Sequence, residues 1–144
     1  MERIPAMRQF VTFRIDMYLM GIDILAVREI NRFLDITPVQ HVQDYIRGLI
    51  NLRGQTVTVF DLGVRLGLSA RILTDNSHNI ILKKDAVGLL VDCIGDVTEA
   101  EETEIELPPA NVGKIEEKFV VGVVKLEDEL LVILSAEKIL ETKK

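Results

Sequence analysis

Gly21-Ile22-Asp23-Ile24-Leu25-Ala26-Val27-Arg28-Glu29-Ile30 aligns without a gap on Gly88-Leu89-Leu90-Val91-Asp92-Cys93-Ile94-Gly95-Asp96-Val97. Glycine meets glycine, aliphatic residues meet aliphatic residues at most positions, and Glu29 meets Asp96. A second match follows in the same order. Gly48-Leu49-Ile50-Asn51-Leu52 falls on Gly122-Val123-Val124-Lys125-Leu126, and the same register puts Val57 on Leu131, Val59 on Ile133 and Phe60 on Leu134. The offsets, 67 and 74 residues, differ by a short length change between the two segments. Two ordered matches, each led by glycine, describe a duplicated unit. A unit of roughly 65–70 residues buries little apolar surface alone, so the two copies should share one core.

The unit reads as β. Val, Ile and Leu number 16, 16 and 18 of 144 residues. The branched aliphatics among them suit a pleated surface. From Val11 to Met17 the odd positions are apolar and the even ones polar, the period of a half-buried strand. Thr56 to Phe60 repeats that period. Asn79–Leu82, Val87–Val91, Val120–Val124 and Leu130–Leu134 are short apolar runs, expected as strands buried on both faces. Turn residues separate them at Lys83–Ala86 and Glu127–Glu129. Helical signals are few. Asp44 is expected to cap a short helix through Tyr45, Ile46 and Leu49 that ends near Gly54. Ser135 is expected to cap a terminal helix that buries Ile139 and Leu140, with Lys143 and Lys144 near its end. Arg65 to Leu68 reads as a short turn, and the five glutamates between Glu99 and Glu106 as a solvated linker closed by Pro108-Pro109.

Composition removes several function classes. The longest apolar runs, Ala86–Val91 and Phe119–Val124, are six residues, short of a membrane span or a signal-peptide core. Cys93 is the single cysteine, which suits a reducing, cytoplasmic setting. Net charge is −6 and aromatics make up 5%, so neither a phosphate-neutralising stripe nor a base-stacking platform is expected. His41 and His78 stand 37 residues apart with no second ligand at metal spacing. Gly63 and Gly67 flank Val64-Arg65-Leu66 without the Lys-Ser/Thr of a phosphate loop. Asp23, Asp61 and Asp92 have no accompanying base, and Cys93 reads as a small core residue. No catalytic constellation, metal or cofactor is expected.

The copies differ where a function would sit. The turn before the second matched strand is Asn51-Leu52-Arg53-Gly54-Gln55 in the first copy and Lys125-Leu126-Glu127-Asp128-Glu129 in the second. Glu127 at the matching position shows that the repeat does not require Arg53. An arginine on a glycine-containing turn presents a planar fork of five donors, and arginine is enriched at interface hot spots. Glu29, on the neighbouring strand-like segment, is the expected partner that holds the fork in one orientation.

This pattern resembles the CheW-like domain family. The resemblance rests on Gly21–Ile24 with Val27–Ile30, on Gly48-Leu49-Ile50-Asn51-Leu52-Arg53-Gly54, and on Val59–Leu62. The later Gly88–Asp92, Gly122–Val124 and Leu131–Leu140 match the second half, so it covers about residues 9–141. It implies a mainly β fold: two intertwined five-stranded SH3-like β-barrels around a shared hydrophobic core, with short helices including a C-terminal one. The whole chain, 1–144, would be one domain, with sub-barrels near 15–75 and 80–135 and terminal segments crossing between them. It also implies a stand-alone, non-catalytic cytoplasmic adaptor, a monomer in isolation. Its partners would be the cytoplasmic tip of a chemoreceptor and the regulatory domain of the histidine kinase CheA, with no nucleic acid and no membrane insertion. The family's receptor-contacting arginine falls on Arg53 and its paired glutamate on Glu29. Val27, Ile30, Asn51, Leu52 and Gly54 fall at or beside the receptor groove. The sequence departs from the family pattern at Thr58, where proline is frequent, at Ser135, where aspartate is common, and at Thr37–Asp44, which lacks a second proline.

Two other readings remain at this point. A scaffold of a non-flagellar array would share every residue named. A small-ligand sensory barrel or hydrolase would need a deep pocket with convergent polar groups and perturbed carboxylates.

Overall fold

Each copy of the repeat folds into the same succession of five strands and a short helix. In the computed structural model, which describes residues 6–109 and 112–141, the first copy contributes β1 (Met7–Ile15), β2 (Tyr18–Asp23), β3 (Val27–Asn31), β4 (Ile46–Leu52), β5 (Gln55–Asp61) and α1 (Leu62–Arg65). The second contributes β6 (His78–Leu82), β7 (Val87–Val91), β8 (Cys93–Glu101), β9 (Val120–Lys125), β10 (Leu130–Leu134) and α2 (Ala136–Leu140). They form two five-stranded sheets, ordered β8-β1-β2-β10-β9 and β3-β6-β7-β5-β4. Exchanging the copies turns one order into the other. The third to fifth strands of each copy therefore pair with the first two of the other. The sheets draw on residues 27–91 and on 7–23 with 93–134, set against the sub-barrels expected near 15–75 and 80–135.

The equivalence extends to single residues. Ile133 pairs in parallel with Gly21 as Val59 does with Gly88, and a register shift leaves Arg47 unpaired in β4 and Val121 unpaired in β9. Beyond β3, Thr37 bridges Leu49 of β4, with both N–H···O contacts at 2.8–2.9 Å. Beyond β8, Glu106 bridges Val123 of β9 in the same way. Each bridge links the two ends of its sheet, so neither ladder is left fully open to another chain.

Several local expectations change. The stretch expected as an Asp44-capped helix is β4, because Gly48, Ile50 and Leu52 are buried at period two while Leu49 is tied to Thr37. The acidic stretch is not a linker: Glu99 and Glu101 lie in β8, Glu102–Glu104 form a 3-10 turn, and Glu106 makes the bridge. The turn placed at Arg65–Leu68 is preceded by α1, whose first turn Asp61 caps through Val64 N–H at 3.1 Å. Ser135 caps α2 as expected, accepting from Lys138 N–H at 3.1 Å, while Lys143 and Lys144 lie outside the described residues. Cys93 is half-buried at the start of β8 rather than in the core.

The shared core is present. Phe13, Ile15, Met20 and Ile22 meet Phe60, Leu62, Ile80, Leu89 and Val91 there, joined by Val132, Leu134 and Ile139. Each sheet also encloses a small core of its own: Ile50, Val57, Val59 and Leu90 in one, Phe10, Val124, Leu131 and Ile133 in the other.

The bridging segments lie hard against glycine. A Cβ on Gly48 would stand 2.1 Å from the Thr37 carbonyl oxygen, on a backbone at φ +149°. A Cβ on Gly122 would stand 2.6 Å from the Glu106 carbonyl oxygen. Gly54 is at φ +86° with nothing within 4 Å. Gly48→Ala and Gly122→Ala should therefore each cost about 3 kcal/mol or more, read from the urea midpoint, against about 1–2 kcal/mol for Gly54→Ala, which meets only backbone strain. Equal losses at all three would contradict the close approach.

Candidate partner-binding site

The β4–β5 hairpin closes on two residues, Arg53 and Gly54, at φ +50° and +86°. Positive φ at both positions is the twist-matched hairpin turn that favours Asn-Gly. Arginine there carries a left-handed strain of about 1–2 kcal/mol. The matching Glu127 and Asp128 in the other copy have no positive φ. Asn51 at the end of β4 supports the turn by accepting the Gly54 N–H at 2.8 Å.

Arg53 reaches from this turn across to β3 and donates through Nη2 to Glu29 Oε1. Glu29's other oxygen accepts from Asn31 Nδ2 at 3.2 Å, so both oxygens are engaged. Beside the pair, Arg28 Nη1 donates to Gln55 Oε1 at 2.6 Å. Arg53 is 60% exposed, so its other donors face solvent, and Ile30 is exposed on the same strand. The bond from Asn31, then that from Arg53, hold the Glu29 carboxyl below its ordinary range.

Of the residues singled out from sequence, Arg53, Glu29, Asn51 and Gly54 come together as one exposed unit. Val27 is half-buried at the start of β3, opposite Leu82. Leu52 is 1% exposed inside the small core, so its role is to anchor the hairpin. Sequence reasoning missed Asn31 and Gln55. Asn31 was legible as a difference between the copies, since the equivalent residue is Thr98.

It also missed Arg71, the single buried arginine among the described residues. Its guanidinium donates to Asp16 Oδ1 and Asp92 Oδ2, both at 2.9 Å, and its backbone N–H donates to buried Asp61 at 2.8 Å. Arg47 Nη1 also meets Asp61 Oδ2, at 3.1 Å, and the Arg71 carbonyl at 2.7 Å. Burial opposes the Arg71 charge, but the bond with Asp16 and the field of Asp92 outweigh it. Every Arg71 donor points at an acceptor within this cluster. The cluster ties the segment between the copies to the β1–β2 and β7–β8 corners.

Two outcomes test this geometry. In carbon-detected NMR titrations the Glu29 midpoint should lie below the ordinary glutamate value. Arg53→Gly should raise it only in part, because Asn31 remains, while relieving strain in the turn. The sign follows from the lowered midpoint: the Glu29 contacts stabilise above the ordinary glutamate range and are lost as pH falls through the lowered value. Arg71→Met keeps the backbone bond to Asp61 but leaves Asp16 and Asp92 without their guanidinium partner, and should cost about 1.5–3 kcal/mol in urea unfolding. A change under about 1 kcal/mol would make the cluster peripheral.

Comparison with known proteins agrees with this architecture. A model of the CheW-like domain matches residues 9–144. The chain is 37% identical over 123 residues to the chemotaxis protein CheW of Bacillus subtilis, covering 84% of this chain and 79% of that protein. It is 32% identical over 135 residues to the chemotaxis protein CheW of Rhizobium meliloti, covering 92% and 86%. The crystal structure of the scaffolding protein TtCheW from Thermoanaerobacter tengcongensis superposes with a TM-score of 0.84 at 32% identity, over 98% of this chain and 91% of that one. With ten strands in two interchanged five-stranded sheets and a family match over nearly its whole length, the chain belongs to the CheW-like domain family.

Proposed function

We propose that this protein is a non-catalytic adaptor of chemotaxis signalling that couples the cytoplasmic tip of a chemoreceptor to the regulatory domain of the histidine kinase CheA. It would act in the cytoplasm, at arrays on the inner face of the membrane, and be a monomer in isolation. The observation that carries this reading is the Arg53–Glu29 pair. It is exposed, fixed in orientation, set on a strained turn, and present in only one of two otherwise equivalent hairpins. An exposed pair adds about 0–1 kcal/mol to folding, and the turn beneath it costs about as much or more. Its use is therefore recognition: a guanidinium whose remaining donors are already aimed loses little entropy on binding. The names of the similar proteins support the same role, being chemotaxis proteins CheW and a scaffolding protein.

Three carboxylates are held away from the environment of a catalytic acid. Burial opposes the Asp23 charge, but the bond from Arg8 outweighs it and lowers the carboxyl. Asn31 and Arg53 lower Glu29, and Arg14 lowers Glu129. A general acid at neutral pH needs a shift in the other direction. Among the described residues no helix is long and apolar enough to cross a membrane.

The test is co-purification of the full chain with the CheA and chemoreceptor proteins of the same organism. The unaltered chain should retain both. Arg53→Glu should lose the receptor while the melting temperature stays within a few degrees, as expected for an exposed turn residue. Receptor retained at wild-type level by Arg53→Glu would show the assigned site to be wrong. Failure of the unaltered chain to bind either protein would remove the coupling reading.

A further inference from the structure

Phe33 lies just past β3, outside any strand or helix, and is 48% exposed. Large side chains in such segments are ordinarily free to turn. Here both backbone polar groups of Phe33 are held by side chains. Its N–H donates to Asn31 Oδ1 at 3.0 Å, and its carbonyl accepts from Asn79 Nδ2 at 2.6 Å. Asn31 is the residue whose amide also holds Glu29 Oε2. A continuous set of contacts therefore runs from Arg53 through Glu29 and Asn31 to Phe33, and on to Asn79 in β6. Phe33 also lines an open cleft with Thr37, Ile50 and Asn51, and Asn51 supports the Arg53 turn.

The other copy supplies an internal control. Asn79 pairs with Asn31 as Phe10 pairs with Thr98. Phe10 is fully buried and packs with Ala100, Val124, Leu131 and Ile133. The fold therefore accepts an apolar residue at this register. Asn79 is equally buried, and its Oδ1 has no hydrogen-bond partner among the described residues. An unmatched buried acceptor costs stability. A polar residue kept at a core position, where its twin is phenylalanine, does something the core does not need. What it does is clamp Phe33.

We infer that Phe33 is a second, apolar anchor of the surface that carries Arg53, held in place by Asn31 and Asn79. This inference rests on the receptor-binding reading of Arg53 given above. Its occupant is the same receptor tip, through a stretch that sets an aliphatic side chain on the Phe33 ring and a carboxylate or carbonyl against the free donors of Arg53. Continuity of the two anchors through the Glu29–Asn31 contacts and through the cleft beside Asn51 favours this occupant over an unrelated one. An exposed aromatic on a fixed backbone, joined to an arginine through hydrogen-bonded neighbours, fits the enrichment of aromatic and arginine residues at interface hot spots. Asn31 and Asn79 act through Phe33 and Glu29, so they are positioning residues.

The experiment measures binding of the full-length chain to a soluble signalling-tip fragment of a chemoreceptor from the same organism, and separately to the CheA regulatory domain. Phe33→Ala should weaken receptor binding about tenfold or more, Phe33→Tyr should retain it, and both should bind the CheA domain as the unaltered chain does. Asn79→Phe copies the other half but places a large side chain in the core, so Asn31→Ala is the working probe of positioning. It should weaken receptor binding by a smaller factor, raise the Glu29 midpoint, and lower the NMR order parameter of the Phe33 amide. A purely structural asparagine would move the melting temperature, the Glu29 midpoint and the Phe33 amide, but would leave receptor affinity unchanged. Wild-type receptor affinity in Phe33→Ala, with binding abolished by Arg53→Glu, overturns this inference and leaves the Arg53 reading standing. So does a Phe33→Ala effect on self-association alone. A wild-type chain that binds no receptor fragment removes both.

Discussion

Neither copy of the repeat can complete a sheet from its own strands. β1 and β2 lie in one sheet, while the chain crosses after Asp23 to put β3, β4 and β5 in the other. The second copy does the reverse at Asp92. The ladders β1–β8, β2–β10, β3–β6 and β5–β7 join the two copies, so the halves are expected to form together. The shared cluster around Phe13, Ile22, Phe60 and Leu89 follows from the same crossing, because each face it brings together carries strands of both copies. Gly48 and Gly122 belong to this constraint as well. The strand after each crossover runs on until it meets the far end of its sheet, and there its backbone lies too close for a side chain.

Duplication gives this molecule a built-in comparison between structure and function. Positions that serve the fold agree between the copies: the glycine under each bridge, the unpaired residue in β4 and β9, the polar cap before each short helix. Three positions that depart from agreement bear on one surface. Arg53 and Asn31 of the first copy stand where the second has Glu127 and Thr98, and Asn79 of the second stands where the first has Phe10. Two of the three work against stability where they sit: Arg53 through its left-handed backbone and Asn79 through an unmatched acceptor in a core. Residues that oppose the local preference of the fold mark the surface where recognition has been placed.

Much of this was legible without coordinates. The ungapped matches announced two equivalent halves, and the strands with period-two patterning or short apolar runs fall close to where the patterning put them, except that the Val11–Met17 run stops at Ile15 and Asp16-Met17 form the β1–β2 turn, with Met17 exposed. The helix expected after Asp44 failed because its glycine and isoleucines serve a strand whose tightest contact is with Thr37, eleven residues upstream of Gly48. The acidic stretch failed for a related reason. Glutamates read as solvated when counted along the chain, yet alternate residues of an edge strand face water while its backbone pairs with β1 and, at Glu106, with β9. Arg53 and Glu29 were found because the copies disagree at the hairpin. Arg71 was not found, since its carboxylate partners Asp16, Asp61 and Asp92 are scattered through the sequence and meet only where three corners converge.

The sequence by itself determined that the chain is built from two similar β-units with aliphatic faces too large for either unit to bury alone. It also determined that one turn carries an arginine the repeat does not require. Both are local properties, readable from period and from register between copies. Only the tertiary structure decided which strands pair, because the partner of each strand is chosen by sheet edges and core faces far away in the chain. Only it decided that Leu52 is buried while Arg53 is exposed, and that Asn31 and Asn79 converge on Phe33. Those relations depend on distances between β3, β4 and β6, which exist only after the strands have crossed between sheets and closed around their cores.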